Sequence, residues 1–479
     1  MPGGFASGVA FPASAEATAA LVAQAVRVLP VGAQSSLTGG ATPRGDLVLS
    51  TRALSSIAEP RGGRVRVGAG APIAALQAQL ARAGLYYPPA PTYEGATVGG
   101  TIATNAAGPA TFKYGTTRRW VEAITVVLAT GDVLDLERGR VTASSSGQFE
   151  IALPSGGSVV VPGLSYRMPD VPKLSAGYHA GGPSADLIDL FIGAEGTLGV
   201  IVDATLRVIP GPRRAVARLV CRDDDQAIAV TRALRDEARE AWEGRGMLDI
   251  AAVEYADANA LAAVADEALG RAGLQRPPAP AALLIVQIEM DRGEDAALSR
   301  LLDVLDAHAR DLEPRLAMPG DERGAAALID LREAVPAGVN AMVAAAKASA
   351  DARIEKTAGD MIVPFARVAD SLALYRDAFD RRGLRHAIWG HLSDGNLHPN
   401  VIPRSFDDVG RGQEALLEIG RAVTAMGGAP LAEHGVGRSS LKQRLLRELY
   451  GEAGIEQMRA VKRALDPGGK LAPGVLFPL

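Results

Sequence analysis

The amino-acid sequence predicts an α+β fold that combines two kinds of domain. Three glycine-rich loops, each next to an apolar strand, lie before Pro210. After Pro210 the composition changes to long helices rich in Ala, Leu, Arg and Asp, which alternate with strands. This segregation of patterns is typical of separate α+β domains. We therefore expect a domain boundary between Pro210 and Arg213.

Length and composition are those of an ordinary multidomain globular protein. The chain has 479 residues, of which 48% are hydrophobic and 22% charged, and a formal net charge of -4. It contains no basic block interleaved with aromatic residues, so we expect no nucleic-acid surface. The single cysteine, Cys221, excludes an internal disulfide and a cysteine-ligated cluster, so any electron acceptor would be external. We predict no membrane span and no signal peptide, and expect a cytoplasmic protein.

The first predicted elements are a helix and a glycine-rich loop. Ser14 is a suitable N-cap for a helix that runs to about Leu29, where Pro30 ends it. The segment VGAQSSLTGG, Val31 to Gly40, then precedes an apolar strand, Asp46 to Ser50. Its small side chains expose backbone N–H groups, which suits a pyrophosphate, although Gly/Ser loops are more often plain turns.

Two further loops repeat this pattern. GATVGGTIATNAAG, Gly95 to Gly108, leads through Lys113, Tyr114 and Gly115 into a strand-like run, Ala123 to Ala129. GAEGTLGVI, Gly193 to Ile201, precedes another apolar strand. Three such loops indicate one large phosphate-bearing cofactor that is held along its length. Their spacing does not match a G-x-G-x-x-G that opens a single helix, so a Rossmann nucleotide site is disfavoured.

The remaining segments are less regular at first and then helical. A Gly/Ser/Pro-rich insertion from Leu136 to Pro183 has no clear periodicity, and we expect a surface excursion or lid there, with Tyr178 and His179 as lid residues. Beyond the boundary we predict two helices, Gln226–Arg239 and Glu294–Arg310, and a strand, Ala282–Met290. We also predict a last helix that ends at Leu465. The tail DPGGKLAPG is expected to dock on another domain.

Two polar segments contain three of the six histidines. In GHLSDGNLH, Asp394 and Gly395 suit the centre of a two-residue hairpin turn. The flanking residues would then pair as Ser393 with Asn396, Leu392 with Leu397, and His391 with His398. Directly opposed imidazoles would share one face at a separation that suits a common cation.

The second segment, AEHGVG, Ala432 to Gly437, would complete such a site. Glu433 would supply an anionic third ligand, which leaves an open metal position for a substrate, and His434 would remain as a free base. The alternative is that these histidines are loop residues that cap backbone carbonyls.

Together these segments resemble the FAD-linked D-2-hydroxyacid dehydrogenases of the vanillyl-alcohol oxidase fold, a branch that includes D-lactate dehydrogenase, the glycolate oxidase flavin subunit and D-2-hydroxyglutarate dehydrogenase. The resemblance rests, in chain order, on VGAQSSLTGG, TVGGTIATNAAG, KYG, EGTLG, GHLSDGNLH, EHGVG and DPGG. It implies a PCMH-type FAD-binding domain of two subdomains, residues 1–210. It also implies an α+β cap domain with an antiparallel sheet, residues 211–425, and a C-terminal segment, 426–479, that returns to the FAD domain.

The resemblance implies non-covalent FAD, because no histidine precedes His179 to form the covalent link found in some relatives. The first loop departs from the commoner form, with Gln34 and Ser35 where a further glycine and threonine are usual, and we expect altered contacts without loss of binding. The FAD contacts implied by the loops and the KYG segment are Pro30, Gly32, Ala33, Gln34, Ser35, Ser36, Thr38, Gly39, Thr97, Gly99, Gly100, Thr104, Asn105, Gly108, Tyr114, Gly115, Glu195, Gly196, Gly199 and Ile201.

The resemblance also assigns roles to the polar residues. His391, His398 and Glu433 would hold a divalent metal, zinc or manganese, and His434 would be the catalytic base. Arg332, Lys356 and Asn396 match positions that bind the substrate. A guanidinium suits both oxygens of a carboxylate and an ammonium acts as a point charge, although most Arg and Lys at helix ends are simply solvated.

The expected reaction is oxidation of a D-2-hydroxyacid of the lactate, glycolate or 2-hydroxyglutarate class to the 2-oxoacid, with the hydride passing to flavin N5. A quinone, an electron-transfer flavoprotein, a cytochrome or oxygen would accept the electrons, and a homodimer is expected. One alternative is a transferase like alkylglycerone-phosphate synthase, disfavoured because no basic amphipathic helix is evident. A non-catalytic flavin subunit is disfavoured because the costly polar cluster is intact. A metallohydrolase without flavin leaves the three loops unexplained.

Overall fold

The computed structural model describes residues 3–89 and 91–478, which form two compact units. The first unit comprises the chain up to Gly108, Gly115–Gly211, and the chain from Leu431 onward. The second unit comprises Pro109–Tyr114 and Pro212–Pro430. The chain therefore enters the second unit at the change in composition after Pro210, and also makes a short excursion into it that the sequence did not indicate.

The first unit contains two main sheets of different construction. Its strands are β1 (Phe5–Ala10), β2 (Val28–Val31), β3 (Arg44–Ser50), β4 (Arg64–Gly68), β5 (Leu85–Tyr86), β6 (Val121–Val127), β7 (Val133–Glu137), β8 (Phe149–Ala152), β9 (Ser158–Val161), β10 (Val200–Arg207) and β11 (Ile209–Pro210), and its helices are α1 (Ala15–Gln24), α2 (Ile73–Arg82), α3 (Val98–Ala103), α5 (Leu187–Phe191) and α13 (Ser440–Leu465). One sheet is parallel, in the order β1-β3-β2, and the other is antiparallel, in the order β4-β10-β6-β7. Strands β5 and β11, and β8 and β9, form separate antiparallel pairs.

Helix α1 begins as predicted and ends earlier. The Ser14 hydroxyl accepts a hydrogen bond from Ala17 N at 3.1 Å, which confirms the N-cap. The helix ends at Gln24, and Val28–Val31, predicted as its last turn and the start of a loop, is strand β2, parallel to β3. The predicted end at Leu29 is therefore wrong, because the apolar residues of this stretch are buried through strand pairing with β3.

The C-terminal tail also pairs with β2. Val28 N donates to Lys470 O at 2.8 Å, and Ala472 N donates to Val28 O at 2.7 Å. Leu471 is fully buried in the same apolar cluster as Val22, Val28 and Leu49. The tail therefore forms part of the core of the first unit.

The insertion between Leu136 and Pro183 is partly a hairpin, β8–β9, and partly buried chain. Tyr178 is fully buried, and its hydroxyl shares a hydrogen bond with the Thr197 hydroxyl at 2.8 Å. The interpretation of Tyr178 as a lid residue is therefore wrong, because its ring and hydroxyl are fixed in the core. His179, beside it, is partly buried, and burial lowers its pKa to about 4.

The second unit is built on a single large antiparallel sheet. Its strands are β12 (Arg214–Cys221), β13 (Asp249–Ala256), β14 (Ala282–Glu289), β15 (Arg315–Ala317), β16 (Thr357–Ala358), β17 (Met361–Ile362), β18 (His386–His391) and β19 (Asn396–Val401), and its helices are α4 (Thr111–Tyr114), α6 (Asp224–Trp242), α7 (Ala258–Ala262), α8 (Asp266–Arg271), α9 (Glu294–His308), α10 (Glu322–Ser349), α11 (Val368–Asp380) and α12 (Phe406–Ala425). The order is β15-β12-β14-β13-β18-β19-β16, and β17 also pairs with β19. The predicted helices at 226–239 and 294–310 and the strand at 282–290 are confirmed by α6, α9 and β14.

In the part of the chain that the structure describes, no helix has both the length and the apolar character needed to cross a bilayer.

Candidate active site

The histidine hairpin, Gly390–His398, lies in the second unit and has a different register from the predicted one. Strands β18 and β19 are joined by Leu392–Gly395, a tight turn that Gly395 closes with φ +80°. His391 lies opposite Asn396, and Trp389 lies opposite His398. The predicted pairing of His391 with His398 is therefore wrong, because the loop is longer than the two-residue turn that Asp-Gly suggested.

The difference in register leaves both imidazoles on one face of the sheet. Side chains of a strand alternate with a period of two, so a partner shift of two residues preserves the face. The rings of His391 and His398 are 5.7 Å apart between centroids, and both residues are buried. The hairpin thus brings two potential metal ligands together on paired strands.

Glu254, on β13, is a buried carboxylate that the sequence reasoning missed. It accepts hydrogen bonds from His391 Nδ1 and from Arg332 Nε, the latter at 2.6 Å. Burial acts to raise the pKa of Glu254, but the adjacent His391 and Arg332 outweigh it and lower the pKa to about 2. The bond to the Glu254 carboxylate makes Nδ1 the protonated nitrogen of His391, so Nε2 carries the lone pair that a metal requires.

The two predicted substrate cations lie in the same unit. Arg332, on α10, bonds to Glu254 and, through Nη1, to Glu333 at 2.7 Å. The Lys356 ammonium lies 5.5 Å from the centroid of the Trp389 ring. The surrounding protein desolvates this ammonium and lowers the pKa of Lys356, although the side chain reaches solvent.

Asp360 is a second functional candidate that the sequence reasoning missed. It lies between β16 and β17, is fully buried, and has Oδ1 3.5 Å from His398 Nδ1. Asn396, predicted to bind substrate, donates to this carboxylate at 3.2 Å and to Met361 O at 2.9 Å. The available signal in the sequence was an acidic residue inside the otherwise apolar run GDMIV.

The three glycine-rich loops converge within the first unit. A Cβ atom at Gly32 in the first loop would collide with the Thr97 hydroxyl of the second. Gly193 N and Glu195 N of the third loop donate to Ile102 O and Ala103 O at 3.0 and 2.7 Å. The strands expected beside these loops are confirmed by β3, β6 and β10.

The first loop has the backbone donors that a pyrophosphate needs. Within the described residues, the backbone N–H groups of positions 32–37 donate no hydrogen bond to a carbonyl or a side chain. Gln34 has φ +60°, a conformation that favours glycine, and its side chain donates to Ala41 O at 3.0 Å. This loop therefore fits a phosphate-bearing cofactor, with Gln34 held in a conformation that favours glycine.

The predicted cofactor residues lie in the first unit with one exception. Tyr114 belongs to the second unit, where its hydroxyl donates to Glu289 at 2.7 Å. Gly199 is explained by packing, because a Cβ atom there would collide with Val126. Ile201 pairs with Val126 in the sheet.

The EHGVG loop, Glu433–Gly437, belongs to the first unit and is irregular. The fully buried Lys173 ammonium bonds to Glu433 Oε2 at 2.7 Å, and Glu433 Oε1 is 3.5 Å from His434 Nε2. Glu195 accepts from Val436 N at 2.7 Å and Gly437 N at 2.9 Å. Burial raises the pKa of Glu195 to about 7 despite these two donors. Lys173 lies in the insertion that was expected to be a lid, which is why its role was missed.

Two protein-family models match this chain. Residues 6–137 match the FAD binding domain, and residues 212–476 match the C-terminal domain of FAD linked oxidases. These matches confirm the predicted FAD-binding fold.

Curated relatives match over nearly the whole chain. The D-2-hydroxyglutarate dehydrogenase of Xanthomonas citri is 30% identical over 98% of this chain and 89% of its own length. The glycolate oxidase subunit GlcD of Bacillus subtilis and the D-lactate dehydrogenase of Archaeoglobus fulgidus are each 28% identical over 94% of this chain, and over 84% and 86% of their own lengths.

A solved structure of alkyldihydroxyacetonephosphate synthase superposes with a TM-score of 0.62 at 16% identity, over 97% of this chain and 75% of the synthase chain. At this identity the similarity concerns the fold alone.

Proposed function

This chain belongs to the family of FAD linked oxidases, and we propose that it oxidises a D-2-hydroxyacid to the 2-oxoacid with bound FAD. The observation that carries the proposal is the group formed in the second unit by the buried residues His391, His398 and Glu254 and the partly buried Arg332. A 2-hydroxyacid presents a hydroxyl next to a carboxylate. Imidazoles beside a guanidinium supply a metal ligand set and a carboxylate partner, which are the groups that such a substrate requires.

We assign the metal to His391, His398 and Glu433. Two imidazoles and one carboxylate are the donor set of several catalytic zinc sites, so these residues fit zinc or manganese. A charged neighbour orients two of these ligands, because Glu254 bonds to His391 and Lys173 bonds to Glu433. When bound, the metal would stabilise the substrate alkoxide as a Lewis acid.

The cations of the second unit would bind the substrate carboxylate. Arg332 has two acidic partners, of which Glu254 is buried and Glu333 is 44% exposed. A substrate carboxylate would replace Glu333, the partner that water already reaches, and leave Glu254 in place. Lys356 would add a second positive charge, and Asn396, fixed by Asp360 and Met361, would contact the substrate.

His434 would take the hydroxyl proton. Its imidazole is 28% exposed, and the neighbouring Glu433 carboxylate would stabilise the imidazolium that forms. Bound FAD supplies the hydride acceptor at N5, and an external acceptor would reoxidise it. The fold shared with the synthase does not favour a transferase, since the named hydroxyacid enzymes match this chain at higher identity.

The test is anaerobic mixing of the purified, metal-loaded protein with matched D- and L-2-hydroxyacids while the flavin absorption band is recorded. We expect a D-acid to bleach the band, a chelator to prevent bleaching and a divalent metal to restore it. A flavin that no D-acid in the lactate, glycolate and 2-hydroxyglutarate classes reduces would contradict the proposal.

A further inference from the structure

The short excursion Pro109–Tyr114, called the strap here, links the two units in an unexpected place. It leaves the first unit after Gly108 and returns to it at Gly115, and both glycines belong to the predicted FAD contacts. In between, the strap forms the short helix α4 within the second unit. The covalent chain therefore joins a cofactor loop directly to the domain that carries the histidine hairpin.

One end of the strap is anchored by ionic groups. The Lys113 ammonium bonds to Asp249 at 2.7 Å and Glu289 at 2.5 Å, and the Tyr114 hydroxyl bonds to the same Glu289. Side-chain exposure is only 16% for Lys113 and 4% for Glu289. This anchor holds the strap against strands β13 and β14.

The middle of the strap contacts Arg235 of helix α6. The guanidinium carbon of Arg235 lies 4.9 Å from the ring centroid of Phe112 and 4.1 Å from that of Phe365. Among the described residues Arg235 forms no ion pair with a carboxylate, and it is 8% exposed. Burial lowers the pKa of Arg235 to about 10, so the group is still charged at neutral pH. The guanidinium therefore lies against two aromatic faces, and the carboxylates of Asp394 and Asp236 also act on its charge.

The same guanidinium reaches the turn of the histidine hairpin. Arg235 Nη1 donates a hydrogen bond to Ser393 O, between His391 and Asn396. The Ser393 hydroxyl in turn accepts from Val253 N at 3.0 Å. Arg235 therefore connects the strap, through Phe112, to the turn from which His391 and Asn396 extend.

We propose that Arg235 is a positioning residue for the histidine hairpin and that Phe112 of the strap holds its guanidinium in place. The catalytic consequence rests on the proposed function, since His391 and Asn396 are the groups that would be misplaced. A displacement of about 1 Å at reacting groups can cost about 100-fold in rate. The structural part of the proposal, that Arg235 keeps the turn ordered, does not depend on which reaction the protein catalyses.

The first test measures hydrogen exchange in flavin-loaded wild type, Arg235→Met and Phe112→Leu. We expect the amides of Val253, Gly395 and Asn396, bonded at or near the turn, to exchange at least about 10-fold faster in Arg235→Met. Phe112→Tyr, which keeps the aromatic face, should resemble wild type. The matched control is Arg353→Met, because Arg353 also lies over a phenylalanine, Phe406 at 4.2 Å, in the same unit.

Unchanged exchange at the turn in Arg235→Met would overturn the proposal, as would equal acceleration throughout β12 and β14, which would indicate general destabilisation. If Arg235→Met does not fold, exchange at the turn is compared between Phe112→Leu and wild type. Unchanged exchange at the turn, or equal acceleration throughout β12 and β14, would again overturn the proposal.

The second test measures flavin reduction by the hydroxyacid that bleaches the wild-type protein. We expect Arg235→Met to keep its flavin and to be reduced about 10- to 100-fold more slowly. The double variant Arg235→Met/Phe112→Leu should be reduced no more slowly than Arg235→Met, because both changes remove the same contact between Arg235 and Phe112. An unchanged rate in Arg235→Met would contradict positioning. Faster exchange at the turn, in a protein that no hydroxyacid reduces, would sustain the positioning role and reject the proposed function.

Discussion

The histidine hairpin and the EHGVG loop hold their functional side chains in opposite ways. In the second unit, every residue from His386 to Val401 is buried, and most of them lie on paired strands. In the first unit, the EHGVG loop has no regular structure and is held by two ionisable side chains, Lys173 and Glu195. The charges are also reversed, because a buried carboxylate orients His391 while a buried ammonium orients Glu433.

The difference shows which contacts each region depends on. The hairpin is positioned by a backbone ladder, so the loss of one side chain should disturb a ligand without unfolding the strands. The EHGVG loop depends on Lys173, which is 260 residues away in the chain. We therefore expect single side chains around the loop to affect stability more than their counterparts around the hairpin.

The largest effect is expected for His434→Ala in the EHGVG loop. The variant should retain FAD but lose the proton acceptor, which should slow substrate-dependent bleaching by about 100- to 10,000-fold. The measurement is stopped-flow absorption under anaerobic conditions. His308→Gln, at an exposed helix end, is the control and should keep the wild-type rate. A wild-type rate in His434→Ala would show that the base is another group.

Lys173→Met should have the largest effect on stability. It removes the fully buried ammonium that bonds to the Glu433 carboxylate, which should lower the free energy of unfolding by about 3–5 kcal/mol. Urea unfolding measures this loss. The double variant Lys173→Met/Glu433→Gln should regain much of it, while Lys347→Met on an exposed helix face should change little. Equal effects of Lys173→Met and Lys347→Met would contradict the comparison between loop and hairpin.

Glu254→Gln tests the hairpin side. Loss of the carboxylate that orients His391 should weaken divalent metal binding by about 10- to 100-fold while the hairpin stays folded. Metal per chain is determined by elemental analysis after dialysis against metal buffers. Glu333→Gln is the matched control, because Glu333 pairs with the same Arg332. A similar loss of metal in both variants would indicate that the charge of Arg332, and not the orientation of His391, is what matters.

The smallest effect concerns Glu195 and pH. Burial raises its folded-state pKa from 4.5 to about 7, so the protonated carboxyl stabilises the fold at low pH and this contribution disappears as pH rises through 7. Between pH 5 and 8 the loss should be at most about 2.5 kcal/mol. In Glu195→Gln this pH dependence should be absent. Parallel curves of urea midpoint against pH for the two proteins would refute the assignment.

Local patterns in the sequence predicted much of the fold. The strands beside the glycine-rich loops and helices α6 and α9 were recognised because periodicity and turn residues are properties of neighbouring positions. The boundary of helix α1 was wrong, because pairing with β3 decides the conformation of Val28–Val31 and the local pattern fits either state. The hairpin was recognised, but its register depended on a loop length that Asp-Gly did not determine.

The class of fold, the three glycine-rich loops and the two histidine-bearing segments are visible in the sequence, because each depends on consecutive residues. The charged residues that contact them are identified only in the folded chain. Glu254 contacts His391 across 137 residues, and Lys173 and Arg235 reach their partners from 260 and 158 residues away. Nothing in the local pattern marks such residues, since a buried ionic or cation–aromatic contact is specified only when distant elements pack together.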